Sequence, residues 1–334
     1  MRVGRTHLLA LAAGGCLCLG ALGFAARDAA EAASSRNAAT NGLILFQANV
    51  GYTPQIFTIK PDGSGLKQIT KIPFKEDTPG AEQADWSPDG KTIAFDAASA
   101  DGGSTIINVF TVAPDGSALS ELPLAVPGYN GAPSYSPDGT KIAFDQDAGS
   151  AKPTVHGIFV ANADGSDPHR LTTGIATKDA YDTKADWSPD GEQITFTRVK
   201  SGTEAAIFVV NADGSGLKQL TPWKLDAAGA DWSPDGSKLV FQTYYDSQLG
   251  KSPNIFTMRP TGGKMTALTH FKGGDVQALG PAWSPDGTKI VWHKLSPTVD
   301  QLFLMDAHGG HVRKLTKMPH GSTPSRAAWG TAAG

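Results

Sequence analysis

The pentapeptide Trp-Ser-Pro-Asp-Gly constrains the fold of this chain more than any other feature of its sequence. It begins at Trp86, Trp187, Trp232 and Trp283, and a copy with tyrosine in the first position begins at Tyr135. Successive copies lie roughly 50 residues apart, which is the length of a four-stranded blade in a β-propeller. The spacing therefore predicts one repeat domain and not two unrelated domains.

Each repeat contains four short segments, which we label strands A to D from the inside of a blade outward. Strand A ends at the aromatic residue, strand B follows the Asp-Gly pair, and strands C and D come next, with D typically ending in Leu-Thr or Ile-Thr. The segments are too short and too rich in β-branched residues for helices. In Ser-Pro-Asp-Gly, proline presets φ, aspartate bonds back to the backbone and glycine accepts a positive φ, so the motif predicts the turn from A to B.

The number of segments predicts how the ring closes. Strands B, C and D each occur six times, but only five repeats begin with their own strand A. The sixth aromatic residue is Trp329, close to the C-terminus and with no strand B after it. We therefore predict an all-β fold, a six-bladed β-propeller of four-stranded blades, closed by the C-terminal strand pairing into the first blade. Closure removes the open sheet edges that would otherwise aggregate.

The ordered motifs Trp-Ser-Pro-Asp-Gly-x-x-Ile-Ala-Phe, Ile-Phe-x-x-x-x-Asp-Gly and Leu-Thr resemble the WD40-like repeat of the TolB propeller family. The resemblance covers roughly residues 43–330. TolB is a periplasmic protein of the Tol–Pal system, and a separate α/β domain precedes its propeller. The chain resembles the propeller domain without that N-terminal domain, because only about forty residues precede the first predicted strand.

The N-terminal segment has the pattern of a secretory signal peptide. Arg2 and Arg5 precede an apolar run from Leu8 to Ala26, with small residues near its end. The run is also long enough for an uncleaved membrane anchor. We expect a signal peptide or anchor over residues 1–26, a flexible spacer over residues 27–40 and the propeller over residues 41–334. The protein is then exported and is periplasmic, exposed on the cell surface or secreted.

Composition limits the chemistry and the partners of the exported chain. Cys16 and Cys18 are the two cysteines, and both lie in the predicted signal segment, so we expect no disulfide and no cysteine nucleophile. The net charge is −3 and no run of Lys or Arg occurs, which argues against nucleic acid as a partner. A closed propeller needs no second chain to complete its core, so we expect a monomer.

Candidate binding residues lie in the B–C and D–A connections, because the motif turns occupy the opposite face of the ring. Loops held by a rigid scaffold commonly carry binding residues, and the channel mouth is the default pocket. Aromatic and charged residues in and beside these loops suit a protein or peptide interface. The candidates are Tyr129, Asn130, Tyr181, Asp182, Trp223, Asp226, Tyr244, Tyr245, His270, Phe271, Gln277 and Arg326.

The sequence favours a non-enzymatic binding or scaffold protein that presents one propeller face to a protein or peptide. It contains no Gly-x-Ser-x-Gly nucleophile elbow and no His-Glu-x-x-His zinc motif. The alternative is a carbohydrate-active lyase or hydrolase, or a carbohydrate-binding propeller, with its site at the channel mouth. The enzyme would use residues such as Asp182 and His270. We expect no cofactor and no metal site; a divalent cation held by carboxylates at the channel mouth is the alternative.

Overall fold

In the computed structural model, the described residues form 24 β-strands in six four-stranded antiparallel sheets. The structure describes residues 40–73, 80–99, 106–147, 156–173, 180–200, 204–244, 252–319 and 321–332. Each sheet is one blade, and the inner strands of neighbouring blades contact each other around a complete ring. The structure therefore confirms the predicted six-bladed β-propeller.

All blades share one strand order, and we number them 1 to 6 as their strands B follow one another along the chain. The inner strands A are β24 (Ser325–Thr331), β4 (Glu82–Trp86), β8 (Tyr129–Tyr135), β12 (Tyr181–Trp187), β16 (Ala227–Trp232) and β20 (Gln277–Trp283). Strands B are β1 (Asn41–Val50), β5 (Ile93–Ser99), β9 (Lys141–Asp147), β13 (Gln193–Lys200), β17 (Leu239–Thr243) and β21 (Lys289–Ser296). Strands C are β2 (Thr53–Ile59), β6 (Ile106–Val112), β10 (Gly157–Asn162), β14 (Glu204–Asn211), β18 (Ile255–Met258) and β22 (Val299–Asp306). Strands D are β3 (Lys67–Gln68), β7 (Ser120–Glu121), β11 (His169–Arg170), β15 (Lys218–Gln219), β19 (Thr266–Ala267) and β23 (Arg313–Lys314).

The Ser-Pro-Asp-Gly turns are held by hydrogen bonds within the motif. In the first copy, Ser87 Oγ donates to Asp89 Oδ1 over 2.7 Å, and Asp89 Oδ1 also accepts the backbone N–H of Lys91 over 3.0 Å. Gly90 adopts a φ of 68°, which a glycine reaches without steric cost. The same pattern recurs in the other copies, so these aspartates have a structural role in the turn.

The threonine that ends most D strands explains why Leu-Thr or Ile-Thr recurs in the sequence. Thr221 Oγ1 accepts the backbone N–H of Ile207 over 2.9 Å, and Thr316 Oγ1 accepts that of Leu302 over 2.9 Å. Both threonines are buried. Strand D is too short to offer a backbone acceptor to this N–H group of strand C. Because buried backbone N–H groups are nearly always paired, the threonine hydroxyl accepts the bond instead.

The hydrophobic core lies between adjacent blades and within the inner three strands of each. An aromatic residue of strand B packs against one of strand C in the same sheet, as in Phe95 and Phe110, whose ring centroids are 5.9 Å apart. Leu45 and Ile56 of blade 1 share a cluster with Phe95 of blade 2. Each blade is therefore covered on both faces by its neighbours, which is why its strands are apolar at nearly every position.

The C-terminal strand closes the ring as the sequence predicts. Strand β24 pairs antiparallel with β1, and Trp329 lies opposite Ile44 in the register. Trp329 is buried in the core cluster between blades 6 and 1. Gly330 lies against the indole of Trp86, and a Cβ at this glycine would come within 2.9 Å of the Trp86 ring.

Every strand A carries a β-bulge at the third residue before its aromatic residue. The six bulge residues all have a positive φ and are Arg326, Gln83, Ala132, Lys184, Gly229 and Gly280, from blade 1 to blade 6. The bulge turns a backbone N–H toward the preceding blade: that of Ala132 donates to Asp96 Oδ2 over 3.0 Å, and that of Gly229 donates to Thr197 Oγ1 over 2.9 Å. We call this set the bulge ring, and it tethers the blades at the level of the channel.

The predicted signal segment and spacer, residues 1–39, lie outside the described residues. Within the described part of the chain, the one helical element is a 3₁₀ turn at Trp223–Leu225. No helix there is long and apolar enough to cross a membrane.

Candidate functional site

The inner strands enclose a channel that contains a cavity of about 170 Å³. The cavity is lined by the bulge ring, by the residues that follow each bulge and by Gln242. The loop face, where the B–C and D–A connections lie, is at one end of the channel. The motif face, where the Trp-Ser-Pro-Asp-Gly turns lie, is at the other. Residues from all six blades therefore line this cavity, and blades 1 to 5 contribute polar or charged side chains to it.

Three carboxylates form an acidic ring below the bulge ring, on the side of the motif face. Asp85 Oδ2 accepts the backbone N–H of Tyr135 over 2.9 Å, and Asp186 and Asp231 accept those of Trp232 and Trp283 over 3.0 and 2.7 Å. Each bond joins one blade to the next. Burial raises the pKa of Asp85 to about 6, and it also raises the pKa of Asp186 and of Asp231. The three aspartates therefore connect neighbouring blades by hydrogen bonds and also line the channel cavity.

Two cations of the bulge ring, Lys184 and Arg326, enter the same cavity. Burial lowers the pKa of Lys184 to about 8, and the nearby Arg326 contributes to that shift. Arg326 Nη1 donates to Gln83 Oε1. Neither cation forms an ion pair with any carboxylate of the described residues. Two like charges therefore lie close together in a confined space.

A hydrogen-bonded network flanks the channel between blades 2 and 3. Tyr129 Oη donates to Asp96 Oδ2 over 3.2 Å, and Gln83 Nε2 donates to the same oxygen over 2.8 Å. Burial and the Asp96 carboxylate raise the pKa of Tyr129 well above its usual range. Burial also raises the pKa of Glu82, and Asp96 adds to that effect. Tyr129 is therefore a neutral donor at the channel wall.

Asp145 lies in strand B of blade 3, beside the strand that contains Tyr129, and has an unusual environment. Its Oδ2 accepts the hydroxyl of Thr183 over 2.9 Å, but its buried Oδ1 has no hydrogen-bond partner among the described residues. Burial raises the pKa of Asp145 to about 7. Protonation of Asp145 would remove one of the two buried carboxylate charges, its own and that of Asp96, on this side of the channel.

Two tyrosines lie beside the channel mouth on the loop face. Tyr181 begins β12 with 43% of its surface exposed, and Tyr244 follows β17 with 37% exposed. Burial of its hydroxyl raises the pKa of Tyr244, the nearby Tyr181 raises it further, and Arg326 opposes the rise. The backbone N–H of Tyr244 donates to the carbonyl of Asp226 over 2.8 Å. The structure thus brings Tyr181, Tyr244, Asp226 and Arg326 together, although they come from three blades.

Two of the candidates, Asn130 and Asp182, are buried and hydrogen-bonded within the fold. Asn130 has 0% of its surface exposed and donates to the carbonyl of Val126 over 3.0 Å and to Asn108 Oδ1 over 2.8 Å. Asp182 is 2% exposed and accepts two bonds from Arg198, of 2.7 and 2.8 Å. The Asn130 amide nitrogen and the Asp182 carboxylate are thus bonded within the fold, whereas the buried Asn130 Oδ1 has no partner among the described residues.

The residues just after strand D lie at the outer rim of the propeller and not at the channel. The Trp223 ring packs 5.7 Å from that of Phe208, and the Phe271 ring packs 6.2 Å from that of Trp292. His270 is exposed next to Phe271. Gln277 is half-buried at the start of β20. Trp223 and Phe271 close the core at the end of a blade, so their apolar surface is largely used inside the fold.

The remaining candidate, Tyr245, lies outside the described residues. Among the residues that the structure describes, no group of three or more histidine, cysteine, aspartate or glutamate side chains could hold a metal ion. The divalent cation considered at the channel mouth thus has no ligand set in that part of the chain.

Two further cavities open on the motif face. One, of about 370 Å³, is lined by tryptophans and prolines of the motif turns, and the other, of about 580 Å³, lies between blades 1 and 2 beside Trp86. The first is lined largely by residues of the repeated motif, and the second also includes Asn41, Gly42, Leu43, Thr331 and Ala332, where the ring closes. The channel cavity differs because the side chains at equivalent positions of its lining change from blade to blade. Such differences allow a site to recognise a particular ligand.

Sequence reasoning missed Lys184 and the acidic ring. The alternation of a regular strand cannot show which side chains face the channel, because the bulge interrupts it. A signal did exist: Lys184 and Arg326 occupy the same position of the repeat, three residues before the aromatic residue. Comparing that position across the six repeats would have paired the two cations.

Comparisons with known proteins agree with the fold. A family model described as the TolB beta propeller domain matches residues 85–249. An uncharacterised protein of Agrobacterium fabrum, Atu1656, is 27% identical over 132 residues, which are 38% of this chain and 43% of that relative. The chain thus matches less than half of that relative's length.

Solved structures show the same architecture at low sequence identity. TolB from Acinetobacter baumannii is 20% identical, with a TM-score of 0.65 over 86% of this chain and 66% of that one. Oligogalacturonate lyase from Vibrio parahaemolyticus is 14% identical, with a TM-score of 0.50 over 74% of this chain and 70% of that one. At such identities the likeness concerns the fold alone. The family match over residues 85–249 and the six closed blades show that this chain is a β-propeller similar to that of TolB.

Proposed function

We propose that the protein is exported and binds a protein or peptide at the loop-face mouth of the channel, without catalysing a reaction. The observation that carries this proposal is the cluster of Tyr181, Tyr244 and Arg326. Both tyrosines are large, have few rotatable bonds and remain exposed beside the channel, as anchor residues of protein interfaces commonly do. The rigid ring holds them in place before binding, which lowers the entropic cost of association.

Export is part of the proposal because of the sequence pattern of residues 1–26 and the likeness to TolB. The positive residues followed by an apolar run favour translocation. We expect the mature propeller in the periplasm, on the cell surface or in the medium. Fractionation of cells that carry the full chain would contradict this part if the propeller stayed in the cytoplasm.

The carbohydrate-enzyme alternative loses the two residues on which it rested. Asp182 is neutralised by Arg198 and buried between blades, and His270 is exposed at the outer rim. Neither lines the channel cavity. The fold itself does not decide between binding and catalysis, because an oligogalacturonate lyase shares the architecture.

The test is a pull-down from the envelope and secreted fractions with the mature propeller as bait. We expect a protein that the unmodified bait recovers and that Tyr181→Ala/Tyr244→Ala does not, since truncation of central aromatic anchors typically costs about 2 kcal/mol or more each. Tyr52→Ala is the matched control. Tyr52 is 90% exposed in the B–C connection of blade 1, across the ring from blade 4.

The result that contradicts the proposal is equally specific. If the double variant recovers the same proteins as the unmodified bait in the same amounts, the tyrosine cluster is not the binding face. Equal melting temperatures of the baits would show that a loss of binding does not come from unfolding.

A further inference from the structure

The strongest unassigned feature of the molecule is the pair of cations inside the channel. Lys184 and Arg326 line one cavity, and neither forms an ion pair with a carboxylate of the described residues. Asp96, an acidic residue of the channel wall, already accepts bonds from Gln83, Tyr129 and Ala132. Lys184 is half-buried and Arg326 is exposed at the channel, and no carboxylate of the described residues is in direct contact with either cation, so both can interact with an anion that enters the cavity.

The positions of the two cations in the ring favour one ligand between them. Lys184 belongs to blade 4 and Arg326 to blade 1, and blades 1 and 4 are opposite each other in a six-bladed ring. The bulge residues of the two blades between them on one side are Gly229 and Gly280, which have no side chains. A Cβ at Gly229 would lie 3.9 Å from Lys184 Cδ, and one at Gly280 would lie 3.6 Å from the Arg326 backbone nitrogen. The two glycines therefore leave space on the path from one cation to the other.

A neutral donor lines the same side of the channel. Gln242 is only 5% exposed, and its Oε1 accepts the backbone N–H of Gly280 over 2.5 Å. That bond fixes the orientation of the amide. Its Nε2 donates to no group of the described residues, and the side chain lines the cavity. This amide nitrogen is therefore a donor at the cavity wall that an oxygen ligand in the channel could use.

We propose that the channel between Lys184, Arg326 and Gln242 binds a carboxylate group of the peptide that docks on the loop face. This inference rests on the proposed function and adds the chemistry of the partner. A carboxylate accepts charge-assisted bonds from a guanidinium and an ammonium group, and its second oxygen can accept the amide of Gln242. A single negative charge suits the site because Asp96, Asp145 and the acidic ring would oppose a more highly charged anion.

The backbone at the two cations gives the geometry further support. Lys184 has a φ of 55° and Arg326 a φ of 50°, in the left-handed region that is unfavourable for a residue with a side chain. Blades 5 and 6 have glycine at the same place. Glycine would adopt this backbone conformation at a lower cost, yet both positions have a long cationic side chain. A role in binding explains why cations occur there.

The carboxylate could come from the C-terminus of the partner or from an acidic side chain, and three small probes separate these sources. N-acetyl-phenylalanine presents a C-terminal carboxylate, and N-acetyl-aspartyl-phenylalaninamide presents a side-chain carboxylate. N-acetyl-asparaginyl-phenylalaninamide has the same size but no charge. Each probe is titrated into the propeller at pH 6.5, where Lys184 is charged, and binding is followed by NMR through the ¹³Cε signals of the lysines.

We expect at least one carboxylate probe to bind about tenfold or more tightly than the neutral probe and to shift the signal of Lys184. Lys184→Gly and Arg326→Gly should each remove that preference. Both variants should fold, because glycine is the residue of blades 5 and 6 at this position. Lys272→Met, which removes an exposed lysine of the D–A connection, should leave the preference unchanged.

The proposal is overturned if both carboxylate probes bind no better than the neutral one, if neither binds at millimolar concentration, or if the preference survives both glycine variants. Its failure is distinguishable from that of the proposed function. Recovery of a partner that depends on Tyr181 and Tyr244 but not on Lys184 or Arg326 would retain the binding face and remove the carboxylate site.

Discussion

Aspartate residues in the exposed turns and in the acidic ring of this molecule have opposite pKa shifts. In the exposed turns, Asp62 accepts bonds from Ser64, which lower its pKa. In the channel, Asp85 accepts one backbone N–H of the next blade, but burial raises its pKa to about 6. The folded state therefore binds a proton more tightly at Asp85 than the unfolded chain does.

The raised pKa of Asp85 has a defined effect on stability. Between about pH 4 and pH 6 the folded state holds more protons at this residue than the unfolded state, so its contribution to the free energy of unfolding falls as the pH rises. Asp85→Asn keeps an oxygen that accepts the Tyr135 N–H but has no charge to bury. We expect its melting temperature to equal that of the original protein near pH 4 and to exceed it at pH 7.

Thermal unfolding from pH 4 to pH 8 checks this prediction. Asp62→Asn is the control: the pKa of Asp62 is lowered, so its contribution to stability is complete above the ordinary carboxyl pKa of about 4. Its melting temperature should therefore differ from that of the original protein by a constant amount from pH 5 to pH 8. A constant difference for Asp85→Asn over the whole range would contradict the role of burial.

At the scale of the element, the two ends of a blade are held by different devices. The inner strand uses the bulge, whose N–H groups reach the preceding blade, as Gly229 reaches Thr197. The outer strand D has only two residues in each blade, too few to satisfy strand C along its whole length. A buried threonine hydroxyl supplies the missing acceptor, as Thr221 does for Ile207. A very short outer strand also limits edge-to-edge association.

Thr221→Val tests the threonine device, because valine has the same shape but no acceptor. The buried N–H of Ile207 would lose its partner, which costs about 1–3 kcal/mol. Thr221→Ser retains the hydroxyl and should be less destabilising than valine. Urea unfolding of the two variants measures the difference. A valine variant as stable as the serine variant would mean that the hydroxyl contributes nothing to the blade.

At the scale of the whole molecule, closure of the ring connects residues that are far apart in the sequence. Strand β24 supplies the inner strand of a blade whose other strands begin at Asn41. Trp329 and Ala328 pack into the clusters on the two sides of that blade. Strand β24 is therefore part of two inter-blade interfaces. It also covers the edge of β1, which would otherwise be exposed in the channel.

Deletion of residues 322–334 should abolish cooperative folding or lower stability by a large part of the roughly 5–15 kcal/mol typical of a domain. The deletion exposes the edge of β1 and removes Trp329 from the core. Circular dichroism and a thermal scan measure the outcome. Deletion of residues 333–334 alone, beyond the end of β24, is the control and should have little effect. An unchanged melting temperature after the longer deletion would refute closure by this strand.

Much of the fold was predictable because the repeat marks it in every blade. The motif at Trp86 and its later copies locates each strand A and the turn that follows it, and local turn chemistry is the same wherever Ser-Pro-Asp-Gly occurs. Trp329 without a following strand B was enough to predict the closing strand. The site was less predictable, since Tyr181, Tyr244 and Arg326 share a place only because three blades meet there.

The sequence by itself determined the strand class, the number of blades, the turns and the closure, because these depend on local conformation and on a counted repeat. The tertiary structure alone decided which side chains are free to act. Asp182 is buried and paired with Arg198, which lies opposite it on the neighbouring strand, and Lys184 and Arg326 line one cavity because each is the bulge residue of its inner strand. Burial and partnership are set by contacts across strands and blades, and no local pattern specifies these contacts.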